Sequence, residues 1–173
     1  MLSQHIAKTT YLLPSLIFHP ISDRTIMFGF STIPLHPSLV HFPIALLLAG
    51  TFAAIVFRLG ARPVGEQWGL YALLAGWILV IPALITGLID KSALPPDSPE
   101  NQLANIHTTG MFVMWGLYGL ALYLHYVWAK KAALTGTRQW IWFGLLILAS
   151  IVLILAGHQG GRLVYELGVG VVR

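Results

Sequence analysis

The chain contains no cysteine. Disulfide bonds, thiolate zinc sites, iron–sulfur clusters and the covalent attachment of a c-type haem are therefore all excluded. Any metal centre in this protein has to be built from histidine, methionine or carboxylate side chains. Methionine offers little, because Met111 and Met114 lie deeper along the third apolar segment than the histidine of that segment.

Charged residues are also scarce. Only 9% of the 173 residues are charged and 57% are hydrophobic, whereas soluble domains contain about 25% charged residues. The chain is therefore expected to be an integral membrane protein, with the lipid bilayer as its first partner. The net charge of +4 does not indicate a nucleic-acid partner, because the basic residues lie in short loops rather than on one patch or stripe.

Four apolar segments are long enough to cross a bilayer as helices. They predict an all-α membrane protein, a bundle of four transmembrane helices in up-down-up-down order within residues 36–173. The expected spans cover about residues 38–58, 67–89, 103–128 and 139–158. Ser98 and Pro99 form a favourable start for the third helix, with Ser98 as the cap. Gly160 and Gly161 are expected to end the fourth helix.

Residues 1–35 are expected to form a separate N-terminal tail. The apolar run at residues 11–18 is too short to span a bilayer and is interrupted by Pro14. No small-residue cleavage site follows this run, which argues against a signal peptide. An arm that lies at the membrane interface or docks a partner is the favoured interpretation.

The charges of the loops predict the orientation. Basic residues dominate the loops after spans one and three, and acidic residues dominate the loop after span two. By the positive-inside rule, both termini are therefore extracytoplasmic. The residues behind this prediction are Arg58, Arg62, Lys130, Lys131 and Arg138 on the cytoplasmic side and Asp90, Asp97 and Glu100 on the outer side.

Four histidines lie near the outer ends of the spans: His36, His41, His107 and His158. An imidazole inside a membrane is costly to bury without a partner, and a b-type haem needs two axial imidazoles that face each other across a bundle. His41 and His107 lie inside their spans at matched depth, so they are the predicted ligands of the haem iron. His158 is the reserve ligand and His36 ranks behind it; if spans one and four face each other, His41 pairs with His158. His125, alone at the opposite end, is interpreted as interfacial.

Four further residues near the outer ends of the spans each have two possible roles. Ala45 and Gly110 lie one turn from the predicted ligands and would leave room for a macrocycle, although small residues also serve plain helix packing. Arg162 is placed to pair with an acidic group such as a haem propionate, or with Glu166 at helical spacing. Asp90 either orients a histidine ring or is an ordinary solvated acid.

Motifs in three parts of the chain, together with one histidine, resemble a bacterial membrane family. The matching residues are His36-Pro37-x-x-Val40-His41-Phe42-Pro43-Ile44, Thr86-Gly87-Leu88-Ile89-Asp90, His107, and Gly157-His158-x-Gly160-Gly161-x-Leu163-Val164-Tyr165-x-x-Gly168-Val169-Gly170-Val171. Over about residues 35 to 172 the chain resembles the family catalogued as domain of unknown function 2231, a predicted four-span membrane protein. The resemblance implies the fold and a bacterial cytoplasmic membrane, and no activity. The histidine pattern is similar to that of small membrane cytochromes b, which is an analogy.

These features predict a membrane electron-transfer subunit that binds one haem b near the outer, periplasmic face. Its expected partners are a quinol, a periplasmic electron carrier or other subunits of a respiratory or photosynthetic complex. Two alternatives stay open: a non-redox accessory subunit whose histidines only hydrogen-bond, and a histidine-based protein that binds or transports a divalent metal. No nucleophile–base pair or phosphate loop is visible, so a carrier or subunit is favoured over a stand-alone enzyme.

Overall fold

The computed structural model describes residues 35–131 and 134–170 of the chain. All regular structure in these two stretches is helical. The helices are α1 (Leu35–Leu59), α2 (Pro63–Ser92), α3 (Pro99–Lys131) and α4 (Thr137–Tyr165). The predicted N-terminal tail lies, but for its last residue, outside the described residues.

Each of the four helices is long and apolar enough to cross a membrane. Their most apolar stretches have mean hydropathies of 2.2, 2.4, 1.3 and 2.5 in chain order. The prediction of an all-α protein with four membrane-length helices is therefore confirmed. Each helix extends beyond its predicted span, because more polar turns at both ends continue the backbone hydrogen bonding of the helix.

The predicted start of α3 is confirmed, and the predicted end of α4 is wrong. Ser98 caps α3, since its hydroxyl oxygen accepts a hydrogen bond from the backbone N–H of Asn101 at 3.1 Å. The two glycines Gly160 and Gly161, in contrast, do not end α4, which continues to Tyr165. A glycine inside a helix costs only about 1 kcal/mol relative to alanine, and at position 160 the missing Cβ makes room for a side chain of α3.

The helices pack as two close pairs. The first helix pair is α1 with α2 and the second is α3 with α4; the two pairs meet through α2 with α3 and, least closely, through α1 with α4. Glycine permits the close approach in the first pair: a Cβ on Gly69 would lie 2.5 Å from the backbone nitrogen of Ala54, and one on Gly50 would lie 2.9 Å from that of Leu73. Close packing of this kind is the main source of helix association in membranes.

Polar and aromatic side chains connect the helix pairs near mid-length. The hydroxyl of the fully buried Tyr118 lies 3.2 Å from Thr51 Oγ1 and 2.8 Å from Ser150 Oγ. The rings of Trp77 and Trp115 are stacked, with centroids 5.0 Å apart and planes within 3°. Each indole N–H donates to the backbone carbonyl of the other tryptophan, at 2.9 and 3.2 Å. These bonds fix how closely the two helix pairs approach each other.

Candidate functional site

His36 lies in the first turn of α1 and its ring is held by α2. Its Nδ1 lies 2.9 Å from the backbone oxygen of Ala83 and 3.3 Å from Thr86 Oγ1. The Thr86 hydroxyl donates to the carbonyl of Pro82 at 2.9 Å. Because a carbonyl oxygen can only accept a hydrogen bond, Nδ1 of His36 carries the hydrogen and donates it. In the neutral ring the lone pair is then on Nε2, the nitrogen available to a ligand.

His107 of α3 is held by α4 in the same way. Its Nδ1 donates to the backbone oxygen of Ala156 at 2.7 Å, so the lone pair of this ring is also on Nε2. In metal-ligating histidines, a hydrogen bond from the other ring nitrogen usually fixes the tautomer and the ring orientation. Both imidazoles therefore have the hydrogen-bonding arrangement of a ligating histidine.

The imidazoles of His36 and His107 are neighbours. Their centroids are 6.5 Å apart and their planes cross at 81°. A metal–imidazole bond is about 2.0 Å long and the ring centre lies about 1.2 Å beyond the nitrogen, so two imidazoles on opposite sides of one metal have centroids about 6.4 Å apart. The observed separation is compatible with such a bis-imidazole centre, and it is also that of an ordinary edge-to-face contact between two rings.

Two glycines make the space for these rings. A Cβ on Gly87 would lie 2.8 Å from Cε1 of His36, and a Cβ on Gly160 would lie 2.8 Å from Cε1 of His107. Carbon atoms in ordinary contact are about 3.5–4.0 Å apart. Any larger residue at either position would displace the ring, so each glycine sets the position of one imidazole.

The other candidate histidines lie elsewhere. His41 and His158 are exposed on the protein surface, and so is Asp90. His41 follows His36 by five residues, which corresponds to a rotation of about 140° around an α-helix, so the two side chains leave α1 on different sides. The structure therefore brings His107 together with His36, the candidate ranked last, and not with His41 or His158.

The small residues predicted to make room for a macrocycle, and the arginine predicted to pair with an acidic group, have different surroundings in the structure. Ala45 is exposed. Gly110 lies against α4, where a Cβ on it would meet the Cβ of Ala156 at 2.8 Å, so this glycine serves the packing of α3 on α4. Arg162 pairs with Glu166 at 2.9 Å, the second of the two partners considered from the sequence.

Sequence reasoning missed the groups that hold the imidazoles. The main-chain carbonyls of Ala83 and Ala156 leave no trace in composition or charge. A spacing does mark them, because in both helices a glycine follows the alanine by four residues, at Gly87 and Gly160. Residues four apart lie on one face of a helix, so the carbonyl and the gap for the ring are adjacent. The same spacing also occurs at Ala72 and Gly76 of α2, so by itself it would not have located the site.

A polar cluster at the other end of the helices was also not predicted. Arg58 forms an ion pair with Glu66, and the two side chains are only 17% and 15% exposed. Arg58 also donates to Gln139 Oε1 at 3.1 Å and to the backbone oxygen of Leu134. His125, interpreted from the sequence as an isolated residue, has its Nε2 3.7 Å from Glu66. One guanidinium thus ties the ends of the helices together, and each of its three nitrogens donates a hydrogen bond within the protein.

In the described part of the chain, no group of three or more histidine, aspartate or glutamate side chains is arranged to hold a metal ion. A family model described as "Predicted membrane protein (DUF2231)" matches residues 32–173, a stretch that includes all four helices. The family resemblance seen in the sequence is thereby confirmed. No curated protein and no solved structure matches the chain.

Proposed function

The chain belongs to the DUF2231 family of predicted membrane proteins, and we propose that it is a membrane electron-transfer subunit that holds one haem b between His36 and His107. The observation that carries the proposal is the pair of crossed imidazoles 6.5 Å apart. Each ring is anchored through Nδ1 to a carbonyl of the neighbouring helix. Haem iron takes two axial imidazoles and receives its other ligands from the porphyrin, so two protein ligands are enough.

The role of the chain in such a site is to hold two Nε2 atoms at a fixed separation in an apolar environment. The carbonyls of Ala83 and Ala156 orient the rings, and the Trp77–Trp115 stack fixes the approach of the two helix pairs. A bound haem would supply one-electron transfer at this level of the membrane. Hydrogen bonds from Nδ1 to a carbonyl make an axial imidazole a stronger donor, which favours the oxidised state of the iron.

The proposed ligand pair differs from the pair predicted from the sequence. His36 takes the place of His41, because the ring of His36 adjoins that of His107 while His41 is exposed. His158 and Arg162 have no part in the proposed site, since His158 is exposed and Arg162 is paired with Glu166.

A second candidate function is a non-redox accessory subunit of a larger membrane complex. The observation that favours it is that each imidazole already makes a hydrogen bond across its helix pair. Such bonds contribute about 0.5–2 kcal/mol each between membrane helices. The histidines would then stabilise the helix pairs without any ligand.

The proposal includes a position in the membrane. The four helices would cross a bacterial cytoplasmic membrane in up-down-up-down order, with both termini extracytoplasmic, because the basic loops lie after α1 and α3. This orientation places the histidine site near the outer face. A quinol, a periplasmic electron carrier or another subunit of a respiratory or photosynthetic complex would exchange electrons with it there.

A reduced-minus-oxidised visible spectrum of the protein, produced with adequate haem supply and purified in detergent, tests the proposal. We expect the spectrum of a low-spin bis-imidazole haem. His36→Ala and His107→Ala should abolish this low-spin spectrum, because each removes one axial ligand. The matched controls His41→Ala and His158→Ala should keep it, because both side chains are exposed.

The outcomes separate the candidates. A wild-type protein that contains no haem would refute the electron-transfer function, and a loss of stability in His36→Ala and His107→Ala would then support the accessory subunit. A haem spectrum that depends on His41 and not on His36 would restore the ligand pair predicted from the sequence. Metal analysis of the same preparation would reveal a divalent-metal protein.

A further inference from the structure

The two helix pairs share a large part of their pattern of buried residues. Each buried residue of α2 has a buried counterpart in α4 that lies 73 positions later in the chain. The residues are Gly69, Leu73, Gly76, Val80 and Ala83 in α2, and Trp142, Leu146, Ala149, Leu153 and Ala156 in α4. Because burial in a helix pair is set by the face that packs, equal spacing means that α2 and α4 present the same face to their partners.

The first helices of the two pairs correspond at three of the five buried residues of α1, with an offset of 71 positions. Buried counterparts are Pro43, Leu47 and Gly50 in α1, and Met114, Tyr118 and Ala121 in α3. The connection within the second pair, residues 132–136, is two residues longer than that within the first, residues 60–62. This accounts for the difference between the two offsets.

Contacts inside the pairs are repeated too. In the first pair, a Cβ on Gly69 would collide with the backbone of Ala54. In the second pair, the equivalent residues are Trp142 and His125, whose ring centroids are 4.9 Å apart. The same two backbone positions therefore meet in both pairs, once through small residues and once through large ones.

The histidine site contains one complete set of equivalent groups from each pair. His36 and His107 are related by the first offset, and their acceptors Ala83 and Ala156 by the second. The hydrogen bonds have similar lengths of 2.9 and 2.7 Å. A Cβ on Gly87 or on Gly160 would lie at the same distance, 2.8 Å, from Cε1 of the adjoining imidazole. The two imidazoles thus occupy equivalent positions in the two helix pairs.

The other end of the molecule shows the same relation. Glu66 and Gln139 are related by the second offset, and Arg58 donates a hydrogen bond to both. A residue that bonds equivalent groups of two repeats lies between the repeats. The symmetry axis therefore passes near Arg58 at one end and between the two imidazoles at the other.

We infer that the chain is a tandem repeat of one helix pair, and that the ligand of the histidine site stands on the pseudo-two-fold axis, coordinated from opposite sides by equivalent imidazoles. This inference rests on the proposed function and narrows the ligand class to a metal centre with two equivalent axial positions, as in a metalloporphyrin. A ligand recognised from one side does not fit this symmetry. Parallel repeats about an axis along the membrane normal occur in membrane proteins whose sites lie at the repeat interface.

The geometry also fixes how the two axial ligands are oriented. The imidazole planes cross at 81°, and each ring is prevented from rotating by its bond to a main-chain carbonyl. Crossed axial imidazoles make the two iron d orbitals that interact with them nearly equal in energy. The ferric low-spin EPR signal of such a centre is strongly anisotropic, whereas parallel imidazole planes give a rhombic signal.

The test uses the full-length protein purified with its haem. We expect a strongly anisotropic ferric EPR signal from the wild type. His36→Ala and His107→Ala should convert the haem to the high-spin form to the same extent, with equal haem contents, because either remaining imidazole is an equivalent ligand. Free imidazole should restore the low-spin spectrum in both variants.

The failures are distinguishable. A wild-type protein without haem would overturn the proposed function and this inference together. A haem protein in which only one of the two variants changes its spectrum would overturn the inference of equivalent ligands alone, and a rhombic EPR signal would overturn the crossed orientation of the imidazoles. The EPR measurement needs no variant, so it tests the crossed orientation even where a substitution prevents folding.

Discussion

Replacing Gly160 by alanine adds a single methyl group at the point where the imidazole of His107 contacts α4. The new Cβ would lie 2.8 Å from Cε1 and 3.0 Å from Nδ1 of the imidazole. The same Nδ1 donates the hydrogen bond of 2.7 Å to the backbone oxygen of Ala156 that holds the ring in place. The collision can therefore be relieved only by moving the ring away from its acceptor or by separating α3 from α4.

The magnitude follows from three contributions. Overpacking a close contact costs about 1–3 kcal/mol, and the loss of one hydrogen bond costs about 1 kcal/mol. Alanine in a helix interior is favoured over glycine by about 1 kcal/mol, which offsets the lost hydrogen bond. We expect Gly160→Ala to lower the free energy of unfolding by about 1–3 kcal/mol.

Gly161→Ala is the matched control, because a Cβ at position 161 would have no heavy atom within 4 Å. It should leave the free energy of unfolding unchanged or raise it by up to about 1 kcal/mol. Both variants can be measured by titrating the protein in mild detergent with a denaturing detergent. Equal free energies of unfolding for the two variants would show that the imidazole of His107 does not lie against Gly160. Gly160 would then have no role in positioning this ring.

Two further predictions concern the polar end and the orientation. Arg58→Ala should lower the free energy of unfolding by about 3–5 kcal/mol, because it leaves the largely buried carboxylate of Glu66 without its arginine partner, with only His125 still near it. Arg162→Ala, at an exposed pair, should lower it by at most about 1 kcal/mol. Similar losses for both variants would contradict the role given to Arg58. Single cysteines introduced at Ser98 and Thr135 into this cysteine-free chain should react differently with an impermeant maleimide on intact cells. Labelling at Ser98 only is expected, and labelling at Thr135 only would invert the orientation.

The end of the helices at which the histidines lie could be predicted from the sequence, but the two histidines that adjoin each other could not. His107 was placed among the ligands because it lies inside an apolar segment with a defined start at Ser98. His36 was ranked last because span one was expected to begin at residue 38, whereas α1 begins at Leu35. Once His36 is inside the helix, its direction is set by the helix, and it points to α2.

The end of α4 is a position where the prediction from local sequence was wrong. Two consecutive glycines are usually a sign that a helix ends, and that local preference amounts to about 1 kcal/mol per glycine. At Gly160 the missing side chain is used instead for the ring of His107. A contact with a residue 53 positions earlier in the chain cannot be deduced from local propensity.

Hydropathy and spacing along the chain were enough to predict a membrane protein with four membrane-length helices, and to predict one common level for His36, His41, His107 and His158. Both are local properties, because each depends on the hydropathy of about 20 consecutive residues and on the position of a residue within them. Which of these histidines adjoin each other is a property of the folded helices. That choice depends on the rotation of each helix about its own axis, which is set by the close contacts of glycines such as Gly50 and Gly69 with the neighbouring helix, and such contacts are between residues far apart in the chain.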